Sequence, residues 1–193
     1  MTFSISARCA DTGMFGIAVS SSSPCVAARC AHARAGVGAV ATQNITDPRL
    51  GPRGLDLMAG GLPAEAALER IKADAPHLDF RQLALIDGAG RTAGFSGGRT
   101  LGTNRIASAT DVIAAGNLLS GPGIADAMVA RFAATAGQAL GDRLVAAMQA
   151  AVEAGGEEGP VHSAGMLLVR AEEWPIADLR IDWVEDDPIG ALA

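Results

Sequence analysis

Tyrosine is absent from this chain, and aromatic residues together make up only 4% of it. A core without large rings has to be assembled from Ala, Val, Leu and Ile in close contact, and at 49% hydrophobic the chain has the material to do so. Lysine is almost missing as well: of 15 cations, all but Lys72 are arginine. A mechanism that needs a lysine beside its reacting atoms therefore has a single candidate, on a segment that reads as a solvated helix. Arginine keeps its charge and forks onto carboxylates, so this cation set suits holding an anion better than moving a proton. Cysteines number three, an odd count that argues against a disulfide framework. Cys25, Cys30 and His32 lie close together, but neither a C-x-x-C pair nor an H-x-x-x-H supplies a fourth tetrahedral ligand, so no metal site is expected.

Net positive charge is lacking too. A formal charge of −6 excludes nucleic acid as a partner, because a phosphate backbone needs a basic face. No apolar run approaches the roughly 20 residues that span a bilayer. The first residues alternate in polarity where a secretory leader would show a basic and then an apolar block, so a cytoplasmic location and no membrane contact are expected. There is no G-x-x-x-x-G-K-[ST] phosphate loop. His32, His77 and His162 have no evident partners in sequence, and His162 with Ser163 fails as a pair because adjacent strand residues point to opposite faces.

What is present is alternation. Phe3, Ile5 and Ala7 alternate with Thr2, Ser4, Ser6 and Arg8, the period-two mark of a strand with unlike faces. Asp11, Thr12 and Gly13 supply a turn, and Phe15, Ile17 and Val19 the returning arm. Residues 36–43 predict a third strand. A helix follows from Gly51 to the Gly60-Gly61 stop, and Pro63 opens a second with Ala64, Ala67, Leu68 and Ile71 on one face. "QLALID" and "RTAGFSGG" flank Gly88-Ala89-Gly90 as a hairpin, and residues 105–117 predict one further strand. Ser120 is placed to cap a helix striped by Ile124, Met128, Val129 and Phe132, and its partner carries Leu140, Leu144, Met148 and Val152. "GGEEGP" reads as a flexible stretch, and "SAGMLLVR" and "LRIDWVE" close the chain as strands. Two sheets stacked face to face, each covered outside by one helix pair, account for strands that are apolar on both faces. The fold expected is therefore α+β, a four-layer αββα sandwich of two mainly antiparallel sheets in a single domain, 1–193.

This order, opening on Thr2, resembles the N-terminal nucleophile (Ntn) hydrolase fold, the αββα sandwich shared with proteasome β-subunits. More closely, "TFSISARCADTGMFGIAVSSS", "ARAGVGAVATQNITDPRLGPRGLDLMAGGLPAEAAL" and "GNLLSGP" resemble the bacterial family known as domain of unknown function 1028, over nearly the whole chain. The resemblance implies the fold. One step further, it implies a cofactor-free hydrolase of a small amide or ureide C–N bond, with Thr2 as nucleophile after Met1 is removed.

A threonine hydroxyl needs a base, and an N-terminal threonine carries one in its own α-amine, whose ordinary pKa of about 7.7–8.0 leaves a useful neutral fraction. While Met1 remains, that nitrogen is an amide. Gln43 and Asn117 are the candidate oxyanion donors, with Asn44 beside them in "ATQNIT". Ser20, Ser21 and Ser163, at strand ends, are candidates to contact the Thr2 amine or the substrate. Arg49 and Arg53, flanking a helix start, suit an anionic small-molecule substrate. Arg8 can add positive potential near Thr2. Each candidate also has an ordinary structural role: Asn in turns, hydroxyls at strand ends, arginines in solvated loops. The alternative function is a non-catalytic small-molecule-binding or oligomeric scaffold protein on the same fold. A homo-oligomer is expected, formed through the alanine-rich helix faces 124–135 and 140–152.

Overall fold

The alternation at the N-terminus becomes β1 (Thr2–Arg8), whose residues Phe3, Ile5 and Ala7 are fully buried on one face. The computed structural model describes residues 1–193. After β1 come β2 (Phe15–Ser21), a one-turn α1 (Ala27–Cys30), β3 (Ala31–Arg34) and β4 (Gly38–Asn44). The helices α2 (Leu50–Ala59) and α3 (Ala64–Asp74) follow, then β5 (Arg81–Asp87), β6 (Thr92–Ser96), β7 (Arg105–Ala109) and β8 (Val112–Asn117). The chain ends with α4 (Ile124–Ala134), α5 (Leu140–Glu153), β9 (Ser163–Val169) and β10 (Ala177–Ile181).

The strands form a six-stranded sheet, β10-β9-β2-β1-β8-β7, and a four-stranded sheet, β3-β4-β5-β6. Every pairing is antiparallel. Parity then assigns the layers. Phe3, Ile5, Ala18, Val112 and Met166 pack with Met128, Phe132, Leu144 and Met148, so α4 and α5 cover one face of the larger sheet. Val40, Leu83 and Leu85 pack with Leu55, Leu68 and Ile71, so α2 and α3 cover the outer face of the smaller one. Phe15, Ile17, Ala39, Ala41, Ala84, Ile86, Ile113 and Ala115 fill the space between the sheets. Each fully buried Phe, Ile or Leu contributes about 2 kcal/mol, so these three clusters dominate the stability. Small residues set the layer spacing: a Cβ on Gly16 would lie 2.6 Å from Leu144 Cδ1, so α5 rests directly on β2 there.

Several local expectations change. Residues 105–117 are a hairpin of two strands, because Asp111 takes a left-handed φ of 62° that a continuous strand forbids. The strand expected at 36–43 starts at Gly38, and α1 and β3 precede it unforeseen. Ser120 caps nothing: α4 starts at Ile124 with Gly123 at its N-cap, and Ser120 N–H donates to Gly156 O at 3.0 Å. Val152 lies off the packed stripe of α5 and is 49% exposed. The last strand is shifted toward the N-terminus, ending at Ile181. The apolar stripes of α4 and α5 are buried within the chain against the six-stranded sheet, and Ala127, Ala130, Ala134 and Ala154 lie on the other side of the helix pair. No helix is long and apolar enough to cross a membrane.

Candidate functional site

Because Phe3 and Ile5 face the helices, Thr2, Ser4 and Ser6 must face the smaller sheet. Thr2 stands at the start of the strand, with β2 on one side and β8 on the other. Both neighbours end beside it. Asn117 is its direct partner across β1 and β8, and the Thr2 and Ser21 hydroxyl oxygens lie 3.2 Å apart. The Met1 carbonyl oxygen accepts hydrogen bonds from both hydroxyls, and Thr2 is only 5% exposed beneath this cap.

The inter-sheet space is apolar at one end and polar at this one. Ser4 Oγ donates to Gln43 Oε1 at 2.7 Å, and Gln43 Nε2 donates to Gln82 Oε1 at 2.8 Å. Asn117 Nδ2 donates to the same Gln82 oxygen at 3.1 Å. Gln82 Nε2 in turn donates to Gly116 O at 2.8 Å and Ser96 Oγ at 3.0 Å. Gln43 and Asn117, expected as a pair of donors, are thus brought together through Gln82, which sequence reasoning missed. A signal existed: Gln82 shares parity with Ala84 and Ile86 on a strand buried on both faces, so a polar side chain there had to find buried partners.

The remaining candidates go elsewhere. Ser20 faces the helix layer and donates to Ser163 O at 2.9 Å, and Ser163 Oγ donates to Ser23 O at 2.6 Å. Of the three serines, Ser21 alone bonds the Thr2 hydroxyl. Asn44, at φ 76°, donates to Phe80 O and accepts from Leu101 N–H, which ties down a loop. The Arg49 guanidinium grips Asp47 at 2.8 and 2.9 Å, and holds its carboxyl below the usual range. Arg53 pairs with Asp74 on α3, across the smaller sheet from Gln43. Arg8 sits at the far end of β1, roughly 20 Å from Thr2 at strand rise, paired with Asp111 at 3.0 Å. Lys72 pairs with Glu69 on α3. His32 packs its ring where a Gly51 Cβ would be, and burial lowers its pKa.

One acid near Thr2 was not foreseen. Beyond α5 the chain returns past β8, where Glu157 forms an isolated bridge with Leu119. Its Oε2 accepts the Ser22 N–H at 3.2 Å, while Oε1 is buried with no partner. Burial pushes this carboxyl up to about 7, against the opposing pull of the chain's amino terminus and of Ser22. "GGEEGP" reads as a loop because its glycines and charges are local signals, and nothing local shows where the second strand ends. The largest cleft, about 680 Å³, lies between α5 and residues 185–189 and includes none of these groups.

The family model for a family of unknown function, DUF1028, matches residues 2–192. The chain is similar to a DUF1028 protein from Silicibacter pomeroyi, known from its crystal structure, at 31% identity and a TM-score of 0.91. The match covers 99% of this chain and 85% of that one. No curated protein matches.

Proposed function

The chain belongs to the DUF1028 family of unknown function, and from that premise we propose an amidohydrolase of the N-terminal nucleophile type, acting on a C–N bond of a small amide or ureide through Thr2 once Met1 is removed. The observation that carries this reading is a buried threonine hydroxyl at a strand start, 3.2 Å from Ser21 Oγ and directly across from Asn117. Filling the same space with apolar side chains would be at least as stable as a network of buried amides. The Ser4–Gln43–Gln82–Asn117 network is therefore better explained by chemistry than by packing.

In the mature chain the neutral Thr2 amine takes the Oγ proton as Oγ bonds the substrate carbonyl carbon and the carbonyl π pair moves to oxygen. One Asn117 N–H is committed to Gln82, and its second meets the oxyanion. Collapse re-forms the carbonyl, breaks the C–N bond and passes the amine's proton to the leaving nitrogen. Water, deprotonated by the same amine, then cleaves the Thr2 ester and restores the hydroxyl. No cofactor enters these steps.

Mass spectrometry of the protein from its native host should show Met1 missing, and an electrophilic acyl probe should label Thr2. Undiminished turnover by protein that still carries Met1 would exclude this mechanism. The second reading, a non-catalytic binding or oligomeric scaffold protein, is favoured by the engagement of both hydroxyls with the Met1 carbonyl. It predicts a ligand that stabilises wild type and Thr2→Ala equally, with no labelling.

A further inference from the structure

Met1 marks a shape as well as a cap. Its carbonyl oxygen meets the Thr2 and Ser21 hydroxyls, so it occupies the space a carbonyl must enter for Thr2 to reach it. Its side chain runs to Gly159, where an added Cβ would stand 3.3 Å from Met1 Cε. Beside these contacts lies Glu157, 6% exposed, tethered to the Ser22 N–H through one oxygen and carrying a second buried oxygen with no partner. The charge that acts on this carboxylate is the amino terminus of Met1, from beyond ion-pair distance. A buried acceptor without a donor is costly to keep, and in a binding site the donor arrives with the ligand.

We propose that the volume held by Met1 is the acyl subsite of the mature protein, and that Glu157 there recognises a cationic α-amino group on the substrate. The ligand class is an α-aminoacyl amide, that is, an amino-acid amide or a short peptide with a free amino end. This rests on the Thr2 reading and narrows its substrate. Met1 presents an α-nitrogen, an α-carbon and a carbonyl in that order, and such an amide presents the same groups in the same order. Its carbonyl carbon meets Thr2 Oγ with the carbonyl oxygen turned to the Asn117 N–H, its ammonium meets Glu157, and its side chain follows the Met1 path toward Gly159. An anionic acyl group is repelled by Glu157 and finds no compensation at Arg49 or Arg53, whose guanidiniums are paired with Asp47 and Asp74.

The test uses Met1-free protein and two probes of matching shape, alaninamide and its uncharged counterpart isobutyramide, with binding measured by calorimetry at neutral pH. Wild type and Thr2→Ala should both bind alaninamide at least about tenfold more tightly, as expected for a charge-assisted hydrogen bond. Glu157→Gln should lose that preference, and Glu157→Asp, which keeps the charge, should retain part of it. Equal affinities in wild type, or an undiminished preference in Glu157→Gln, would overturn the assignment. If Thr2 resists acylation while the preference persists, the hydrolase reading fails and the subsite stands; acylation without preference has the reverse meaning.

Discussion

Thr2 and Asn117 are direct partners across β1 and β8, so the candidate nucleophile and the candidate oxyanion donor emerge from one sheet at the same level. Neighbouring strands lie only about 4.8 Å apart, so this pairing holds the two side chains together without any loop having to close. Gln82, reaching over from the smaller sheet, accepts from Asn117 and sets its amide.

Removing the Thr2 hydroxyl should abolish turnover. Thr2→Ser keeps an Oγ and should remain measurably active. Asn117→Ala should lower kcat by about 10²–10³ with little change in KM, since an oxyanion contact strengthens only in the transition state. Steady-state kinetics on Met1-free enzyme decides, and an unaltered kcat for Asn117→Ala would remove that residue from the mechanism.

Gln82 is the hub of the buried network, accepting from Gln43 and Asn117 and donating to Gly116 O and Ser96. Gln82→Ala leaves several of these groups buried and unpartnered. A loss of about 3 kcal/mol is expected in denaturant unfolding. Losing less than about 1 kcal/mol would mean that neighbours or water replace it readily.

Glu157 makes the protein's stability depend on pH. Its folded carboxyl is raised from 4.5 to about 7, so the folded state holds this proton more tightly than the unfolded chain. The cost is absent below pH 4.5, grows as pH rises toward 7, and reaches at most about 3 kcal/mol above that. Glu157→Gln should therefore melt higher than wild type at pH 8 and close to it at pH 4.5. Parallel melting curves at both values would contradict the raised carboxyl.

Asp87 behaves in the opposite sense. Burial pushes its carboxyl up, but the Ala64 N–H, the Arg91 guanidinium and the Ala89 and Arg91 N–H groups outweigh this and hold it below its ordinary value. These bonds join the start of α3 to the β5–β6 turn at 2.8–3.1 Å. The stability they confer is present above the ordinary carboxylate range and lost as pH falls through the lowered value. Asp87→Asn should cost about 2 kcal/mol at neutral pH and less in acid, measured by unfolding at the two pH values.

How much of this was legible depended on range. The faces of β1 and the apolar stripes of α3 and α4 follow from periodicity, and the structure has them. The split of 105–117 into β7 and β8 was hidden because Asp111 bends the backbone with no glycine to signal it. Gln43 and Asn117 were legible as polar residues at strand ends, but their connection through Gln82 was not. Asn44, Ser20 and Ser163 showed the same local polarity, yet their side chains bond to backbone elsewhere.

Which residues turn inward, and where most helices run, follow from the order of the amino acids, because side-chain alternation and helical period are properties of a few consecutive residues. Tertiary structure alone decided that Thr2, Ser21, Gln43, Gln82, Asn117 and Glu157 gather at one end of the two sheets. That meeting depends on strand registers and on how one sheet lies over the other, and those are set by contacts between residues far apart in the chain.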